Sequence, residues 1–327
     1  MKNLALGFFL LLSLFAISTA AFAQLPALKP LKGTPEPTAP KDPEKFTFIL
    51  AGDNRPAKSS DPPTETVKMI FKEIKKQSPA FVLWTGDIIS GKDPSGPITQ
   101  EYEDFLKIAA KGDAAVFNAP GNHEMNDKNN CPNETLLDLY KTDAGQTAPY
   151  GSFDYGDSHF IALDSDEPAP AGDPCNCSSQ TADKDKDDKP TGYISASQIE
   201  LLKQDLKANK SKAHIFIFLH RPLVGYEGKD QLCPANVTDL QTIFKDYHNI
   251  SYVVAGHQHM YYNPQGKDEF GPPPQRKDPA KKPFYLVSGG AGAPLKKKGF
   301  YHYLIFSVDK DTMSVQVVPV DASTDVN

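Results

Sequence analysis

A mixed α/β fold is what this sequence predicts, and three observations predict it. Apolar runs of strand length alternate with helical periodicities, no internal repeat or linker divides residues 46–327, and five of the apolar runs end in residues able to bind metals or move protons. The five polar endings also suggest where function lies, because the carboxyl ends of strands in an open α/β sheet form its ligand crevice.

The N-terminus precedes that fold. Lys2, an apolar run from Leu4 to Ile17 and the small-residue pattern Ala21-Phe22-Ala23 have the layout of a cleavable signal peptide over residues 1–23. The expected protein is therefore exported, to a periplasm or out of the cell. The apolar run is shorter than the ~20 residues that span a bilayer, so no membrane anchor is expected after cleavage. Residues 24–45 carry Pro26, Pro30, Pro35, Pro37, Pro40 and Pro43 with little that could pack, and read as a Pro-rich linker.

Residues 46–327 read as a single domain. The expected strands are 46–51, 81–85, 115–119, 159–164, 215–219, 251–255 and 284–288, with a closing hairpin of 301–308 and 313–319. Helical spacing (i, i+3, i+4, i+7) joins Val67, Ile70, Phe71 and Ile74, recurs from Ile199 to Leu206, and is weaker from Val237 to Tyr247. Two polar insertions, 166–191 and 263–283, read as solvated loops. Their departure points near the polar strand ends suggest that they shape substrate access.

The formal net charge is −6, from 35 basic and 41 acidic residues, a mildly acidic balance. That balance argues against a nucleic-acid platform or an anionic-membrane binder. Cys131, Cys175, Cys177 and Cys233 lie in polar sequence. In an exported chain they fit two disulfides, with three pairings open.

The five polar endings are Gly52-Asp53-Asn54-Arg55, Gly86-Asp87, Gly121-Asn122-His123-Glu124, His220-Arg221-Pro222 and Gly256-His257-Gln258-His259. Carboxylate, amide oxygen and imidazole together suit Mn, Fe or Zn. The alternating His257 and His259, taken as extended backbone, would point to opposite sides and serve two adjacent ions.

In order and wording these segments resemble the motif set of the calcineurin-like metallophosphoesterases, purple acid phosphatases included. Residues 151–157 running into 159–165 look like that family's central hairpin, Gln198-Ile199-Glu200-Leu201-Leu202 like the helix before its first ligand histidine, and Val287–Pro294 like its Gly-rich segment. The resemblance implies two mixed β-sheets packed face to face with helices outside, a four-layer sandwich. It implies that Asp87 bridges two metals, that Asn122, His220 and His257 complete one site, and that Asp53 and His259 belong to the other. One or two Mn, Fe or Zn ions would then generate a hydroxide that cleaves a small-molecule phosphate monoester or diester. His123 would protonate the leaving oxygen, with Glu124 either orienting it or lying on the surface.

One departure is visible. The family commonly has His two residues after the first Asp, and purple acid phosphatases have Tyr three residues after the bridging Asp; here Arg55 and Ser90 stand there. Arg55 cannot ligate a metal but suits a phosphate oxygen. It leaves open a second reading, a non-catalytic phosphoryl-ligand-binding or interaction protein with a degraded first site. Oligomeric state is not legible in the sequence.

Overall fold

The computed structural model describes residues 24–179, 191–229, 231–266 and 283–321. The signal-peptide segment, the charge run 183–189 and Pro272–Pro274 lie outside them. Among the described residues no helix is long and apolar enough to cross a membrane.

The strands are β1 (Lys45–Ala51), β2 (Val82–Trp84), β3 (Val116–Asn118), β4 (Gly151–Tyr155), β5 (Ser158–Leu163), β6 (His214–Leu219), β7 (Ile250–Ala255), β8 (Tyr261–Tyr262), β9 (Phe284–Ser288), β10 (His302–Asp309) and β11 (Thr312–Pro319). They form two mixed sheets, β11-β10-β1-β2-β3 and β4-β5-β6-β7-β9-β8. In the first sheet β1, β2 and β3 pair in parallel up to the β3 edge, with antiparallel β10 and β11 on the other side. In the second β5, β6, β7 and β9 pair in parallel through the middle, with antiparallel β4 and β8 at the margins.

The strands read as continuous apolar runs because both of their faces are covered. Alternation along a strand sends successive side chains to opposite faces. In β1, Phe48 and Leu50 enter the layer between the sheets, whereas Ile49 and Ala51 face the helices. In β6, Phe216 and Phe218 point inward and Ile215, Ile217 and Leu219 outward. The inner layer is aromatic: Phe48 stacks on Phe306 at 5.0 Å and meets Phe160 and Phe216 edge-on, each at 5.2 Å. Such pairs add about 0.5–1.5 kcal/mol each to the area they bury.

Helices α1 (Glu65–Gln77), α2 (Ile98–Ala109) and α4 (Glu134–Ala144) cover the first sheet; α5 (Ala196–Ala208) and α6 (Pro234–Phe244) cover the second. In α1, Thr64 caps the Val67 N–H, Ser78 closes the helix in the left-handed region, and Val67, Ile70, Phe71 and Ile74 are all buried. The last sequence helix sits three residues earlier than expected, at 234–244, because Pro234 supplies a pre-set first turn. The sequence reading passed over α2 and α4, although Ile98, Tyr102, Phe105 and Ile108 are a buried helical stripe and Asn133 caps α4.

Residues 24–45 need a correction, since they are not a free linker. Leu25, Leu28 and Leu31 are buried, one in each of the three apolar layers. Backbone bonds fix the segment to the margin of both sheets: Leu28 N donates to Ser152 O on β4 (2.9 Å) and Leu31 N to Val116 O on β3 (2.7 Å). The strap thus closes the sandwich where both sheets would otherwise present an unpaired edge.

The first insertion is also more than a solvated loop. Disulfides join Cys131 to Cys177 and Cys175 to Cys233, tying it to the loop after a short helix α3 (Asn122–Met125) and to the start of α6.

Candidate metal centre

All eight residues singled out in the sequence meet at one end of the sandwich. Each follows the carboxyl end of a strand: Asp53 and Arg55 follow β1, Asp87 β2, Asn122 and His123 β3, His220 β6, and His257 and His259 β7. Arg55, Asp87, Asn122, His123, His257 and His259 line a pocket of about 450 Å³, with Lys92, Asn130, Arg221, Pro294 and Lys296 completing the wall.

Strained backbone aims four of these side chains. Asp53, Asp87, His257 and His259 have φ of 60°, 52°, 70° and 45°, in the left-handed region that residues other than Gly rarely enter. Strain of this kind persists where surrounding contacts over-determine it, typically at functional sites. It also corrects the expectation for 257–259: the segment is not extended but turns tightly, Gln258 N donating to Gly256 O at 2.8 Å. The two imidazoles still diverge, because each sits on its own left-handed turn. Gly121 and Gly256 are needed at their positions, where a Cβ would collide with the carboxylates of Asp87 and Asp53 respectively.

Donor atoms converge most closely around His220, which is completely buried. Its Nδ1–H donates to Thr85 O (2.7 Å), so Nε2 presents a lone pair. Facing that lone pair are Asn122 Oδ1 at 3.0 Å, His257 Nδ1 at 3.0 Å and Asp87 Oδ1 at 3.3 Å. An ion about 2.0–2.2 Å from each N or O donor needs donors roughly 3–3.5 Å apart, and these spacings fit.

The other half is looser. His259 Nδ1–H donates to Pro294 O (2.7 Å), turning Nε2 toward Asp53 Oδ1 at 3.5 Å. The Asp53 carboxylate accepts the His257 N–H through both oxygens, at 3.0 and 2.9 Å. Carboxylate and imidazole atoms of Asp53, Asp87 and His220 lie within 4.8 Å of one another, a spacing that lets Asp87 face both halves. The Gly-rich segment after β9 lies along the Asp53 loop: Ala291 N donates to Gly52 O and Ala293 N to Asp53 O.

Charge in this site is poised for cations. Burial, then the neighbouring Asp87, raises the Asp53 carboxyl well above its ordinary range. Burial would raise Asp87 too, but His220, His123 and Arg55 hold it well below. Burial keeps His257 and His259 neutral, pushing His259 down to about 4 and His257 far down with help from Arg221. Neutral imidazoles and an ionised Asp87 are the protonation states that metal ligands require, and a cation beside Asp53 would favour its ionised form as well.

Arg55 lies in the pocket, beside the carboxylate that both halves face. Its side chain lies over the shared carboxylate, Nε 3.5 Å from Asp87 Oδ2, and Nε is buried without a hydrogen-bond partner. Ser90, in the position of the missing Tyr, is spent on Pro56 O (2.9 Å). His123 donates Nδ1–H to Ser90 O, leaving Nε2 toward the pocket, 3.8 Å from Asp87 Oδ2. Burial pushes His123 down to about 3; Asp87 opposes this, and Arg55 and Lys92 add to it.

Glu124 corrects both earlier readings of it, since it neither orients His123 nor lies on the surface. Completely buried, it accepts the N–H groups of Gly121 (2.6 Å), Asp87 (2.9 Å), Ile88 (2.8 Å) and Ile89 (3.2 Å), clamping the Asp87 loop to the Asn122 loop. Burial and Asp87 push its carboxyl up to about 8, against the pull of those N–H donors. The sequence reading passed over Lys92, Asn130, Arg221 and Lys296 as pocket residues. Arg221 had a signal, since it directly follows His220; the others sit in loops without one.

A two-sheet α/β sandwich with carboxylate, amide and imidazole donors gathered at its strand ends defines a metallophosphoesterase-like protein. The chain belongs to the calcineurin-like phosphoesterase family, whose model matches residues 44–261. It is similar to a purple acid phosphatase from yellow lupin (Lupinus luteus) seeds, with 16% identity and a TM-score of 0.59 over 86% of this chain. It covers 53% of that protein, about half its length. It is also similar to a dimetal phosphatase from Danio rerio, with 15% identity and a TM-score of 0.58, covering 84% of this chain and 96% of the other. At these identities the likeness is one of fold. No curated protein matches the chain in sequence.

Proposed function

We propose that this chain is an exported metal-dependent hydrolase of small phosphate monoesters or diesters. The observation that carries the reading is the convergence of Asn122 Oδ1, Asp87 Oδ1 and His257 Nδ1 on the His220 lone pair at 3.0–3.3 Å, beside a second buried carboxylate. Asn122, His220, His257 and Asp87 would hold one Mn, Fe or Zn ion, and Asp53, His259 and Asp87 another. Such a pair supplies Lewis acidity, activating water at neutral pH and clamping phosphoryl oxygens.

The remaining groups have roles of their own. Arg55, whose buried Nε makes no hydrogen bond and lies 3.5 Å from Asp87 Oδ2, lines the pocket and offers its guanidinium to a phosphate oxygen as a charge-assisted bond. His123 presents Nε2 to the pocket and, once protonated, can pass that proton to a leaving oxygen while Ser90 O holds the ring. An incoming phosphate brings negative charge against Arg55 and Lys92, which favours loading that proton when substrate is bound. Two disulfides support an oxidising compartment. Mass spectrometry of the exported protein should find its N-terminus after Ala23.

The test is turnover of p-nitrophenyl phosphate and bis-p-nitrophenyl phosphate by purified protein, with and without Mn, Zn or Fe. Metal-stimulated release of nitrophenol is expected. Phosphate binding without turnover of either ester under any metal would favour the non-catalytic reading that Arg55 over Asp87 suggests.

A further inference from the structure

One wall of the pocket is built from groups that neither half of the centre uses as a ligand. Arg221 is buried, and its Nε donates to Asp166 Oδ1 at 2.8 Å. Asp166 is itself held by Asn126 Nδ2 (2.8 Å) and Ser165 Oγ (3.1 Å), so the guanidinium is fixed from behind while it lines the pocket. Lys92 Nζ donates to Asn130 Oδ1, and both residues line the same pocket. Asn130 stands in a turn closed by Asn130 N to Asp127 O (2.9 Å) and Asp127 N to Cys131 O (2.8 Å), one residue from the Cys131–Cys177 disulfide. Arg221 and Lys92 are near enough to act on one another electrostatically.

Resting on the hydrolase reading, we propose that Arg221, Lys92 and Asn130 form a second anion subsite beside the metal centre, and that the substrate is a small phosphate ester carrying a second anionic group. Donors fixed in advance by Asp166 and by the disulfide-bound turn lose little freedom on binding, the condition under which charged hydrogen bonds yield affinity. Arg221 NH1 also lies 3.2 Å from His257 Nε2, which sets the subsite directly beside the metal centre.

Two non-hydrolysable probes of similar size separate the subsite from the centre: propylphosphonate, with one anionic group, and propane-1,3-diphosphonate, with two. Calorimetric titration of the Mn-loaded full chain is expected to show the diphosphonate binding about 10- to 100-fold tighter, the worth of roughly one charged hydrogen bond. Lys92→Met should remove most of that advantage while weakening propylphosphonate far less, and Arg221→Lys should do the same. Lys92 is partly exposed, so its variant decides the matter if the buried Arg221 variant fails to fold. 3-Phosphonopropionate separates a general anion subsite, which binds it better than propylphosphonate, from one that requires a second phosphoryl group. Equal affinity for the mono- and diphosphonate, or equal weakening of both by Lys92→Met, overturns the proposal. Turnover of p-nitrophenyl phosphate alongside that result leaves the hydrolase reading standing, whereas absence of turnover with a clear diphosphonate preference removes the hydrolase and keeps the subsite.

Discussion

The half of the pocket that contains Asn122, His220 and His257 and the half that contains Asp53 and His259 share Asp87, yet their electrostatics differ. On the first side Asp87 Oδ1 lies 3.3 Å from His220 Nε2, which Asn122 Oδ1 and His257 Nδ1 also approach at 3.0 Å. On the second, Oδ2 meets the Arg55 guanidinium at 3.5 Å, and His259 approaches Asp53 at 3.5 Å. A fixed cation over Asp87 would compete with an ion for the same oxygen, so under the proposed assignment, in which both halves draw on Asp87, the two halves should differ in affinity. Losing an imidazole and gaining a guanidinium at position 55 thus acts on one half of the centre.

The largest effect should come from Asp87→Ala, which removes the group both halves share. Metal analysis of the purified variant should show depletion of both ions, with an activity loss above the ~100-fold typical of losing an outer-shell partner. Retention of metal and activity would make Asp87 a turn residue and dissolve the comparison.

His123→Ala should leave metal content unchanged and lower turnover by ~100- to 10,000-fold, least for activated leaving groups that need little protonation. Measured together, metal per chain and kcat across leaving groups separate a proton donor from a ligand.

A sharper comparison sets Asn122→Ala against Asp53→Ala. The first should empty the tighter half and the second the weaker one, so graded chelation should release two ions in separate steps from the parent and a single step from each variant. A single two-ion step in the parent, at one chelator strength, would mean that the halves bind alike.

The smallest change is expected for Arg55→His, which restores an imidazole and removes the competing cation. Mn or Zn affinity of the weaker half should rise, while inorganic phosphate should bind about tenfold more weakly, the loss of roughly one charged hydrogen bond. An unchanged phosphate inhibition constant would show that Arg55 does not reach the substrate.

Local patterning was enough to read the strand cores, α1 and the six candidate ligands at their strand ends, because apolar periodicity and the residue types after each run are properties of short segments. The strap was missed for a related reason: six prolines suggested a spacer, and Leu25, Leu28 and Leu31 acquire meaning only when three separate layers exist to receive them. Likewise Glu124 reads as an ordinary polar residue until four N–H groups from two loops are brought to it.

By itself the sequence determined the alternation of buried strands and amphipathic helices, the resemblance to a metallophosphoesterase, and the inventory of donors at the strand ends. Tertiary structure alone decided which donors share a half, that His257 and His259 sit on left-handed turns, that Arg55 lies over Asp87, and that Arg221 and Lys92 line one wall. The physical reason is that residue type and periodicity are local, whereas donor spacing, desolvation and the balance between neighbouring charges arise only when segments up to two hundred residues apart, such as Asp53 and His257, are packed within 3 Å.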